Sequence, residues 1–193
     1  MKQTRIQPLL ATGLLLASTP ALAHQAQDLS GGLWAGLSHP YNGLDHLLAM
    51  LAVGGWAALQ SGHQRLTIPL TFMLMLAVGF VAALMGIHLP LLESGIASSV
   101  LVLGLLILTA ARLPAIISLS LIALFALLHG FAHGSELGSA VALYFAGGFI
   151  VASLSLHLVG GGVMNRLQTR MPILARTGGA ALVLTGANLV TSL

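Results

Sequence analysis

Two short stretches carry the side chains that can do chemistry in this chain. "HPYNGLDH" sets His39, Asp45 and His46 at the lip of an apolar run, and "HGFAHGSE" sets His129, His133 and Glu136 at the end of another. His129 and His133 are four residues apart, so on a helix they stand one above the other on one face, the spacing at which two imidazoles can chelate an ion. Glu136, three beyond His133, falls near that face or caps the turn. The chain has no cysteine, so a metal site here must be built from nitrogen and oxygen. Imidazole with carboxylate suits borderline divalent ions such as nickel, cobalt or zinc, and affinity alone does not discriminate among them. Taken singly, Asp45 reads equally well as a helix cap, His46 as a ring bonded to a carbonyl, and Glu136 as a solvated loop residue. Together Asp45, His46, His129, His133 and Glu136, three imidazoles and two carboxylates at one depth, favour a metal site.

Weaker candidates surround these. His88 and Glu93 flank the loop "HLPLLE" and are placed for an entry vestibule, though such residues are usually only solvated. His24 follows "ALA", where a freed amine and the imidazole could grip a metal together. His63 and His157 map to the opposite side, as members of an exit path. The seven methionines show no repeated spacing and read as packing.

The elements that must position these residues are apolar. The 193 residues are 57% hydrophobic and 6% charged, where soluble domains carry about 25% charged residues. Residues 1–23 have a basic start, an apolar middle and an A-x-A end, the layout of a cleavable secretory signal, leaving 24–193 as one transmembrane domain. Removal of Lys2 and Arg5 lowers the net charge from +3 to +1, which leaves no basic surface for nucleic acid. Apolar runs then cover Leu44–Leu59, Leu66–Ile87, Ser94–Ala111, Ala115–Leu128, Leu137–Val159 and Ile173–Leu193. A span takes roughly 17–25 residues, so six transmembrane helices fit if the first and fourth runs extend through their polar ends.

Orientation follows from the arginines. Arg65, Arg112, Arg166, Arg170 and Arg176 all fall in alternate connections, which the positive-inside rule makes cytoplasmic, with both mature termini periplasmic in a bacterial inner membrane. Both histidine motifs then lie at the outer face. Pro40 removes a donor and disfavours helix at His39, and Gly43 adds freedom, so the first helix follows a Pro/Gly-broken segment. Asn42 is the alternative explanation, as a simple helix cap. The 23 glycines, many in doublets such as Gly54-Gly55, Gly147-Gly148 and Gly178-Gly179, suit close helix packing in lipid. The two motifs enter from opposite directions and end at one face, as in a three-plus-three inverted repeat.

Together the motifs resemble the HupE/UreJ family of nickel and cobalt permeases associated with hydrogenase, urease and cobalamin metabolism. "HPYNGLDH" is similar to that family's His, five residues, Asp-His, and "HGFAHGSE" to its His-Gly-x-Ala-x-Gly-x-Glu. Leu128 stands where the family pattern usually has Phe, and His133 at a variable position. The resemblance implies an all-α polytopic protein in which His39, Asp45, His46, His129 and Glu136 are needed for passage of nickel, or next cobalt, as substrate. It implies no resident cofactor and no enzyme. Two other classes use the same groups: an intramembrane zinc hydrolase, and a metal-holding accessory protein.

Overall fold

The computed structural model describes residues 31–136 and 141–193. Residues 31–38 (α1) are helical and lead into a 3-10 turn, His39–Tyr41. Six helices follow: α2 Leu44–Leu59, α3 Gln64–Leu84, α4 Leu92–Leu108, α5 Ala115–Glu136, α6 Ala142–Arg170 and α7 Pro172–Thr191. No strand occurs among the described residues. In α3, α5, α6 and α7 there are helical segments long and apolar enough to cross a membrane, while α2 and α4, at 16 and 17 residues, are shorter apolar helices. Large apolar side chains such as Leu66, Ile116, Leu143, Leu158 and Leu184 point outward, each at least 70% exposed. The proposed signal segment and His24 lie outside the described residues.

Two local expectations change. Helix is not disfavoured at His39: the backbone runs from α1 through Ser38 into the turn, and the break falls at Gly43, whose backbone is extended at φ −107° and ψ 122°. Pro40 occupies an opening position of that turn, where a missing N–H costs little. Nor is Asn42 the cap. Its own N–H bonds back to the His39 carbonyl at 3.0 Å, Gly43 is the N-cap of α2, and no cap side chain bonds the helix start. The fourth apolar run, by contrast, does extend through its polar end, because α5 continues past Leu128 to Glu136.

The helices pack chiefly in three pairs, α2 with α6, α3 with α5 and α4 with α7. Exchanging the first three of these helices for the last three, in order, leaves that pairing unchanged. Glycine makes the pairs possible. Gly54 lies against the His157 carbonyl and Gly160 against that of Leu51; Gly79 lies against Leu127 and Gly130 against Leu76; Gly104 lies against Val183 and Gly186 against Leu101. Gly36 of α1 and Gly148 of α6 repeat the arrangement on the Phe145 and Leu33 carbonyls. A Cβ at any of these positions would collide with backbone, which cannot turn aside as a side chain can.

The end of the bundle away from the histidine motifs is laced by polar side chains. Trp56 Nε1 and Gln60 Nε2 both donate to the Ala111 carbonyl at 3.0 and 3.1 Å, and Arg112 Nε donates to that of Leu59 at 3.2 Å. Arg65 Nε donates to the Gln60 carbonyl at 2.9 Å. These bonds tie the α2–α3 connection to the α4–α5 connection and satisfy carbonyls that helix ends leave open.

The glycine contacts make a paired prediction. Gly160→Ala should lower the thermal midpoint of the detergent-solubilised protein, at an overpacking cost of about 1–3 kcal/mol. Gly147→Ala on the same helix, where a Cβ meets nothing within 4 Å, should leave the midpoint unchanged or raise it.

Candidate metal centre

His46 sits in the first turn of α2 beside Asp45. Asp45 Oδ1 accepts two hydrogen bonds from His46, one from its backbone N–H at 2.8 Å and one from ring Nδ1 at 2.9 Å. A carboxylate only accepts, so in the neutral ring the proton is on Nδ1 and Nε2 is a bare lone pair. Gly43 leaves room for this pair, since a Cβ there would stand 2.9 Å from Asp45 Oδ1 and 3.2 Å from His46 Nδ1.

On α5, glycine and histidine alternate with the helix period. Gly130 lies against Leu76 and Gly134 against Phe80 of α3, so that face is pressed to its neighbour. His129 and His133, one residue before each glycine, are rotated about 100° from it and meet α2 instead. His129 is fully buried, and its Nδ1 donates to the Phe125 carbonyl at 2.8 Å. A carbonyl accepts only, so its Nε2 is bare as well. His133 is 1% exposed. Among the described residues, His46 Nε2, His129 Nε2 and both ring nitrogens of His133 are buried with no hydrogen-bond partner.

The rings form one contiguous group. Centroids lie 4.4 Å apart for His46 and His133, 5.0 Å for His46 and His129, and 4.5 Å for His39 and His133. His39 reaches the group from the 3-10 turn, 6.4 Å from His46. As the side chains stand, no three His, Asp or Glu among the described residues are set around a single ion position; the rings contact one another tilted or edge to face.

Phenylalanines wall this group in. Phe149 of α6 lies 4.3 Å from His133 and 5.9 Å from His39, Phe145 lies 5.1 Å from His39, and Phe72 of α3 lies 5.8 Å from His129. Phe80 stacks on Phe145. These four lie outside both histidine stretches, and their signal is scarcity: of the chain's six phenylalanines, Phe72, Phe145 and Phe149 contact the histidine rings and Phe80 backs Phe145.

The other candidates are placed apart or not described. Glu136 ends α5, three residues after His133, and its side chain lies outside the described residues. His88 and Glu93 are exposed around the α3–α4 connection. His63 is exposed at the N-cap of α3, at the arginine end. Leu128, the departure from the family pattern, lies against Gly95 of α4 and so concerns packing.

A helical bundle with an apolar exterior, several membrane-length helices and an interior histidine group defines a polytopic membrane protein. The chain belongs to the HupE/UreJ family: residues 12–189 match the family described as HupE / UreJ protein. It is 37% identical to "Protein HupE" of Rhizobium leguminosarum bv. viciae over 193 residues, covering 98% of this chain and 99% of that one. No solved structure matches it.

The Asp45–His46 bond predicts a graded effect. Asp45→Asn removes the carboxylate that fixes the His46 tautomer, and loss of such an orienting partner costs about 10–100-fold in metal affinity. Equilibrium dialysis of nickel against the purified variant and wild type measures this directly.

Proposed function

We propose that this chain is a secondary permease that takes a divalent transition-metal ion, nickel first and cobalt next, from the periplasm into the cytoplasm. In this reading residues 1–23 are a cleaved signal and 24–193 a single domain of six membrane-crossing helices. Its histidine end faces the periplasm, along with both mature termini, and its arginine end faces the cytoplasm of a bacterial inner membrane.

One observation carries the proposal. His46, His129 and His133, on two helices, present buried, unpartnered imidazole nitrogens in rings packed 4.4 and 5.0 Å apart. Two of these rings have their tautomer set by an acceptor on Nδ1, the Asp45 carboxylate and the Phe125 carbonyl. That is the outer-shell arrangement that orients metal-binding histidines. Polar groups within a membrane are costly and mark ion pathways. Small ring rotations would gather His39, His46, His129 and His133 on an ion, with Asp45 and Glu136 supplying negative charge. Binding must admit the ion and also release it, and nitrogen with oxygen ligands, without thiolate, meets both needs.

Within this reading the protein serves metal supply to hydrogenase, urease or cobalamin enzymes and is not itself an enzyme. Stoichiometric zinc retained through dialysis would favour the hydrolase class instead. Binding without movement would favour a metal-holding accessory.

Reconstitution into proteoliposomes separates these readings. Wild type should accumulate nickel or cobalt, and His46→Ala should reduce the rate at least tenfold; equal rates refute the permease. Ligating imidazoles must be neutral, so protons compete with the ion for the same nitrogen lone pairs. Uptake should therefore fall as the external medium is acidified, and a flat profile would argue against imidazole ligation.

A further inference from the structure

The histidine group at the outer end is not the last polar feature along the bundle. Ser153 and His157 of α6 are four residues apart and share a face, at 0% and 2% exposure. A serine inside a helix ordinarily bonds back to a carbonyl about one turn earlier, and Ser99, Ser135 and Ser155 do so. Ser153 does not. Its Oγ and both ring nitrogens of His157 are buried with no hydrogen-bond partner among the described residues. Leaving such a group unpaired is costly, and folded proteins seldom keep one without a use.

Their position suggests the use. Phe149, which touches His133, is one turn before Ser153 and two before His157, so His157 lies about 12 Å further along α6. The Phe72 ring contacts His129 at 5.8 Å and His157 at 5.1 Å, so a single side chain separates the deepest histidine of the outer group from the next one. The α6 backbone at His157 is also held in depth, because Gly54 of α2 lies against the His157 carbonyl and Gly160 against that of Leu51.

We propose that His157 and Ser153 form a second, inner coordination station for the ion that the outer histidines capture, a proposal that rests on the permease reading. One imidazole nitrogen and one hydroxyl supply two ligands, and water carried by the ion supplies the rest. Such a site holds a borderline divalent ion weakly, as a transient stop requires.

The test uses full-length protein with nickel as the probe and cadmium as a softer second ion. His157→Leu should lower the maximal rate of nickel uptake into proteoliposomes at least tenfold. Its nickel dissociation constant, measured by equilibrium dialysis, should stay within twofold of wild type because the outer group is intact. His157→Cys, which introduces the chain's sole thiol, should shift transport preference towards cadmium at least tenfold, a change that a packing role would not produce. Uptake by His157→Leu within twofold of wild type overturns the inner station and leaves the outer site standing. If the leucine variant does not fold, the cysteine variant decides alone, and an unchanged nickel-to-cadmium preference overturns the station. Undiminished transport by His46→Ala would instead overturn the permease reading beneath it.

Discussion

A glycine set against a backbone carbonyl of the neighbouring helix, repeated at a three-residue step, is the contact on which this bundle depends. Leu51 and Gly54 face His157 and Gly160; Leu76 and Gly79 face Leu127 and Gly130; Leu33 and Gly36 face Phe145 and Gly148. In each case the glycine of one helix meets the carbonyl three residues before the glycine of the other. Lipid tails are as apolar as leucine, so no hydrophobic force drives these helices together. Close approach substitutes for it, through dispersion and Cα–H···O contacts of about 0.5–1 kcal/mol each. The pairs α2–α6 and α3–α5 thereby acquire matched geometry, and it is between them that the histidines meet.

The site inherits its precision from these contacts. Gly130 and Gly134 fix the rotation of α5 on α3, and that rotation turns His129 and His133 towards α2. Gly43 gives the start of α2 the space in which Asp45 can hold His46. The surrounding phenylalanines limit water, and a dry surrounding strengthens every electrostatic interaction with an ion. The same dryness makes the unpartnered nitrogens expensive when no ion is present. Stability is therefore given up at the place where a ligand would restore it, on α2, α5 and, in the proposed inner station, α6.

Much of this was legible in the sequence, and the losses have physical causes. The apolar runs marked the helices to within a few residues at most ends, because helix length and hydropathy are local properties. The four-residue spacing of His129 and His133 placed both on one face. The break before α2, expected across Pro40 and Gly43 together, falls at Gly43 alone, because proline is readily accommodated where a turn opens and only the extended glycine interrupts the helical path. The glycine doublets were read as packing units, yet Gly148 and Gly179 press on neighbouring backbone while a Cβ at Gly147 or Gly178 would meet nothing within 4 Å. Adjacent residues on a helix point about 100° apart, so one of a doublet usually faces away. Phe72, Phe145 and Phe149 could not be assigned to the site from their own segments, since their role arises only when α3 and α6 close on the histidines.

The central claim is that imidazoles from both α2 and α5 bind one ion. X-ray absorption at the nickel edge, on purified protein loaded with a single nickel equivalent, tests it most directly. The account predicts a nitrogen and oxygen shell with two or more imidazoles in the wild type, with the imidazole signal reduced in His46→Ala and again in His129→Ala. An all-oxygen shell in the wild type, or a shell unchanged in both variants, would contradict it.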